Sequence, residues 1–277
     1  MDLSTWLASV LVALSVIASA TGFAAWLRPG SLRLQLAGDL LGPPCLVLGL
    51  LAWGVRWRLA GHLPLFGTYE SSLSLAVAVL LASALARFLY PRPVGTWPVA
   101  CCATALVVAH GLSFDATAYP LTISERSWVV DVHAFLAWAA FGGLLVNAGF
   151  ALLRLTGRFR DEARIDRLLA LSLSLGFLLH TSMLVSGSFY KFLLFGHAWS
   201  FDPIETLGLV AWIAYGTLLH MHLFAGWDGH RLARWCVGVF VLLLISYRGI
   251  VYFPAWSTYH IFDMDLRMHL TGSESIE

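Results

Sequence analysis

Charge is what this 277-residue chain has least of: Asp, Glu, Lys and Arg make up 12% of it, against about 25% in a soluble domain, while apolar residues reach 59%. So little charge excludes a water-soluble protein. The longest polar stretch, "RLTGRFRDEARIDR" at 154–167, carries both charge signs and reads as a connector, so no soluble domain can be cut out. The near-neutral net charge of +1 gives no footing for nucleic acid. Cysteine is scarce, and Cys45, Cys101, Cys102 and Cys236 all fall inside apolar runs; neither a disulfide framework nor a thiol-exchange pair is expected. There is no C-x-x-C-H, which excludes covalent attachment of haem c to this chain. "MDLSTW" lacks a basic n-region and the first Arg follows the apolar stretch, so the first span is expected to be retained rather than cleaved. Short-period repeats and low-complexity runs are missing too.

What is present is apolar length. Eight runs of nearly uncharged sequence, at about 4–27, 36–56, 70–90, 97–114, 130–153, 168–190, 205–225 and 235–253, predict an all-α polytopic membrane protein, a single integral domain over 1–277. The second run holds Pro43 and Pro44, which predict a kink, and the fourth is short. The eighth carries Arg248 near its end, where a long side chain snorkels to the interface. Loops after odd-numbered spans hold eleven Arg, and the opposite side with its helix ends holds six Lys or Arg. By the positive-inside rule the odd loops face the cytoplasm and both termini are extracytoplasmic.

Histidine is the candidate for chemistry, because an ionisable side chain inside a membrane is costly and marks function by default. His133 follows the outer loop in "TISERSWVVDVH", and His260 follows the eighth span in "PAWSTYHIFD". Both fall on the outer side, where "FGHAWSFDPIET" at 195–206 also lies. Asp131 and Asp263 stand near enough in sequence to fix an imidazole tautomer. An interfacial His serves equally as an amphipathic belt residue, and both readings stand at this point. His220 is fifteen residues beyond Glu205, roughly 22 Å below the outer end at 1.5 Å per residue, and reads as a ligand or a helix-packing hydrogen bond. His222, two residues on, points to the opposite face and toward the cytoplasmic interface.

Paired imidazoles suit iron, and haem iron in particular takes axial His. Haem is also flat and apolar with two propionates. Trp199, Phe195, Phe201 and Trp212 offer stacking faces, and Arg248 or backbone donors can meet the propionates. Zinc is disfavoured, since no tight His/Cys/Asp spacing occurs.

"FGHAWSFDPIETLGLVAWIAYGTLLHMHLFAGWDGHR" resembles the tryptophan-rich signature W-G-x-x-W-x-W-D-x-x-E, and the W-(x)-Y-x-x-L-H run after it, of the cytochrome c assembly family of the CcsA/ResC type, relatives of the CcmC and CcmF types. "GHLPLFGTYESS" at 61–72 is similar to the family's G-H-x-P-L-x-x-x-Y-E-S segment, and "WVVDVHAFLAWAAF" to its first external-His helix. The resemblance implies a haem b held non-covalently at the extracytoplasmic face, in a bacterial cytoplasmic or thylakoid membrane. His133 and His260 would ligate it, and Trp199, Asp202 and Glu205 would belong to its platform. His220 would ligate an inner haem. The chain would share a haem lyase site with a ResB-like partner and present haem to an apocytochrome. Three positions depart from the pattern: Phe195 and Phe201 replace Trp, keeping a flat face but losing the indole donor, and Ile204 replaces the usual basic residue. The departures keep a second reading open, a haem b subunit of a respiratory complex moving electrons between quinone and an attached cytochrome or multihaem partner. His110 and His180, intramembrane and outside the family motif, fit that reading or simple packing.

Overall fold

The computed structural model describes residues 2–28, 31–89, 96–118, 120–121, 125–157 and 161–252, with backbone alone for 32, 35 and 247–252. It forms eight helices: α1 (Leu3–Leu27), α2 (Leu32–Ala60), α3 (Thr68–Leu89), α4 (Thr96–Gly111), α5 (Trp128–Leu155), α6 (Glu162–Phe195), α7 (Pro203–Ala225) and α8 (Gly229–Tyr252). Seven are long and apolar enough to cross a membrane, and α4, at 16 residues, is the short apolar one. The protein is an all-helical, multi-pass membrane protein.

Local chemistry sets the helix ends. The Asp2 carboxylate accepts from the Thr5 amide at 2.8 Å to start α1, Ser127 caps α5 through Val129, and Asp161 caps α6 through Arg164. That last cap places Glu162 to Arg167 inside α6, so the charged connector is shorter than its polar composition suggests. Arg154 explains why: it donates to Asp166 at 2.7 Å, lies 3.0 Å from Glu162, and donates to His230 Nδ1 at 3.1 Å, pinning the starts of α6 and α8 to the end of α5. α2 runs through Pro43 and Pro44 without ending.

The helices pack as two rings of four. In the first, α1 lies against α2 and α4, and α3 against α2 and α4; in the second, α5 lies against α6 and α8, with α7 closing the ring between α6 and α8. α3 joins the rings by packing on α5, so closely that a Cβ on Gly142 would come 2.8 Å from that of Ala78. Leu73, Leu80, Phe141, Leu144, Leu173 and Tyr215 fill the shared core. The C-terminal ends of α2, α4 and α6 form one end, termed upper, with loops 61–67 and 196–202; the C-terminal ends of α1, α3, α5 and α7 form the lower.

Candidate functional site at the upper end of the second ring

His133 lies in the second turn of α5, and its ring rests on α6. Nδ1 is 3.0 Å from the Met183 carbonyl and 3.5 Å from Ser186 Oγ. A carbonyl oxygen only accepts, so Nδ1 carries the proton, and in the neutral ring the lone pair is then on Nε2. That is the tautomer a metal ligand needs. The expected orienting group, Asp131, does not fill this role. Two residues apart on a helix the side chains diverge, and Asp131 instead lies within electrostatic range of His62.

The 196–202 loop begins where Gly196 ends α6 in a left-handed conformation (φ 74°), its N–H bonded to the Phe192 carbonyl at 3.0 Å. The loop ends where Asp202 caps α7, its carboxylate accepting from the Ile204 amide at 3.0 Å, with Pro203 in the first turn. Lys191, the chain's single lysine, reaches from the last turns of α6 to the Glu205 carboxylate and the Ser200 hydroxyl. Glu205 also accepts from the Ser200 amide at 2.9 Å. The acids of "FGHAWSFDPIET" are therefore spent inside the loop, as a cap and an ion pair. The aromatics face outward: Phe201 is 78% exposed and Phe195 44%, while Trp199 is half-buried between them in sequence. Phe201 holds φ at 59°, strained for a residue with a side chain.

The remaining candidates sit apart from this loop. Trp212 lies in the α6–α7 seam, its indole N–H on Thr181 Oγ1 at 2.8 Å and its ring stacked on Phe177 at 5.6 Å. His220 lies on the exposed side of α7, its ring 4.7 Å from that of Phe224, away from the buried stripe of Gly208, Ala211, Tyr215 and Leu218. His222 closes the α7–α8 turn, 3.0 Å from the Trp227 carbonyl and 2.9 Å from Asp228. His180 is buried in α6 beside the Gly208 backbone, and His110 packs edge-on to Phe114. His260 and Asp263 lie outside the described residues, as does the side chain of Arg248.

Sequence reasoning missed Lys191 and Ser200. The available signal was a lone lysine in the last turns of an apolar helix facing a downstream Glu, with Ile where a base is usual. It also gave no role to Arg56 and Glu70. Arg56 Nε donates to Glu70 at 2.8 Å, and its Nη atoms hold the carbonyls of Ala116 and Thr117. Asp2 lies 3.8 Å away, and His62 faces Glu70 at 3.8 Å. This cluster shuts the upper end of the first ring.

Residues 64–255 match the family model for cytochrome C assembly protein. The chain belongs to that family. The match takes in His133, the loop and His220 and stops short of His260. The chain is 28% identical over 268 residues to the cytochrome c biogenesis protein CcsA of Synechococcus sp. (strain CC9902), covering 80% of this chain and 84% of that one. It is also 28% identical over 240 residues to CcsA of Parasynechococcus marenigrum (strain WH8102), covering 71% and 77%. Among solved structures it is similar in fold to the cytochrome c heme lyase CcmF, with TM-score 0.69 at 20% identity. That likeness covers 98% of this chain and 51% of CcmF, so the chain spans about half the length of that protein. Membership of an assembly family puts this chain in cytochrome c assembly and disfavours the respiratory-subunit reading.

Proposed function

We propose that this chain binds haem b non-covalently at the upper end of α5–α8 and presents it for attachment to an apocytochrome. The observation that carries the reading is the Nδ1–H bond from His133 to the Met183 carbonyl, on the same helix that leads, roughly 12 Å beyond Gly187 at 1.5 Å per residue, into a loop whose aromatic faces are exposed. A fixed Nε2 lone pair and flat apolar surfaces are the donor set an iron porphyrin requires. Haem bound there would supply the group that is transferred. His133 and His260 would hold the iron, and Trp199, Phe195 and Phe201 would offer apolar faces to the ring. Asp202 and Glu205 hold the loop in shape, and Trp212 keeps α7 docked on α6.

His220 supports an inner site of another kind. An imidazole on the exposed side of a membrane helix is costly unless something covers it. A second ligand there would come from a partner, and a ResB-like subunit, contributing to a shared haem lyase, fits the family better than a multihaem cytochrome. The upper end would then be extracytoplasmic, with both termini on that side, in a bacterial cytoplasmic or thylakoid membrane. Lipid covers the rest of the surface, and nothing in the charge distribution suits nucleic acid.

Two variants test the outer site in detergent-purified protein. His133→Gly should open one iron position that added imidazole refills, because free imidazole replaces the missing ring. Trp199→Ala removes stacking area worth roughly 1.5–3 kcal/mol and should loosen haem with no rescue by imidazole. Full haem content and an unchanged spectrum in both would sink the proposal. A reporter active outside near residue 160, rather than after Glu277, would overturn the orientation.

A further inference from the structure

The α6 surface under His133 is a notch. Its floor is the Met183 carbonyl and its wall is Gly187, one turn further along the same face. A Cβ built on Gly187 would lie 2.6 Å from Cε1 of His133, 2.8 Å from Nδ1 and 3.4 Å from Nε2. Real side-chain contacts do not come so close, so the ring occupies the volume a side chain at 187 would need. The distances also give its attitude: Cε1 and the Nδ1 edge face Gly187 most closely, and Nε2 lies further from it.

We infer that Gly187 is a positioning residue for the proposed iron ligand His133, its missing side chain letting the ring seat against the Met183 carbonyl with Nδ1–H engaged. This rests on the proposed role of His133 in holding haem. With Ala at 187 the ring cannot stay seated. Rotation about the His133 side-chain bonds relieves the contact only by breaking the bond to Met183, and with it the tautomer preference. Ser186 Oγ, 3.5 Å from Nδ1, is a poor substitute acceptor at that distance. Close helix packing elsewhere has no such consequence. At Gly176 the new Cβ would meet the Leu144 side chain at 2.5 Å, loosening the same α5–α6 seam without touching a titratable group.

The test compares Gly187→Ala with Gly176→Ala in the full-length protein. The first readout needs no haem: the ¹⁵N shifts of the His133 ring in haem-free protein should report the Nδ1–H tautomer in wild type and in Gly176→Ala, and a mixture in Gly187→Ala. The second is the haem spectrum, which should lose its low-spin, six-coordinate character in Gly187→Ala and recover it with imidazole, while Gly176→Ala keeps the wild-type spectrum at lower thermal stability. Should Gly187→Ala fold poorly, it is made in the His133→Gly background, where the Cβ has room; there, with imidazole, it should change neither folding nor spectrum further. A wild-type tautomer and spectrum in Gly187→Ala, or an equal added defect in the His133→Gly background, overturns the inference. An unchanged spectrum in His133→Gly alone brings down the haem-ligand reading instead and leaves the tautomer measurement to decide the role of Gly187.

Discussion

Each ring of four helices carries a buried cation and carboxylate at its upper end. In the first, Arg56 and Glu70 are sealed at 2% and 6% exposure and bind the ends of α2 and α3 to the loop after α4. In the second, Lys191 and Glu205 are buried almost as deeply, but the loop they brace turns Phe195 and Phe201 outward. The chemistry of the two pairs is alike; what lies over them differs. A buried pair serves in both places to fix irregular backbone, whose polar groups have no partner in lipid. In the first ring that backbone covers the pair, and in the second it leaves Phe195 and Phe201 exposed above it.

The largest expected effect comes from the closed end. Arg56→Leu takes the cation from Glu70 and the donor from two loop carbonyls, and breaking such a buried pair costs roughly 3–5 kcal/mol. Thermal unfolding in detergent should show a large loss, with the residual folded protein keeping its haem site. Lys191→Met should cost less, about 1–3 kcal/mol for an acceptor losing its donor, because Ser200 still bonds Glu205. Its signature is functional: proteolysis within 196–202 should speed up and haem should be held more loosely. If Lys191→Met destabilises as much as Arg56→Leu and leaves haem binding intact, the two ends do the same job and the contrast fails.

The smallest effect concerns pH. Partial burial pushes the Asp2 carboxyl up, but the Thr5 amide, the Ser4 and Thr5 hydroxyls and the Arg56 charge outweigh it and hold the pKa below its ordinary 3.8. A lowered folded-state pKa means stability that is present above 3.8 and lost as pH falls through the lowered value. Asp2→Asn keeps the helix cap and should flatten the acid limb of a stability–pH curve slightly, with little change at neutral pH.

The eight helices were legible because nearly uncharged runs of membrane length have no other stable form in lipid. His133 and the loop were legible as residue types at an interface. Their partners were not. The Met183 carbonyl lies fifty residues from His133, and which turn of α6 meets α5 depends on packing at places such as Gly176 against Leu144. Lys191 meets Glu205 only because Gly196 reverses the chain between them. That His220 lies near the far end of α7 from Glu205 followed from run length, but its face did not. In a chain apolar on all sides, hydrophobic pattern cannot tell the lipid side of α7 from its buried stripe, which shows only in small residues such as Gly208 and Ala211.

The most direct test of the central claim is the haem content and reduced-minus-oxidised spectrum of the wild-type chain purified alone in detergent. Non-covalent haem b extractable by acidified organic solvent, with a low-spin, six-coordinate spectrum from two His ligands, is the expected result. Protein that is folded by circular dichroism, yet carries no haem and takes none up when haem is added, would contradict it.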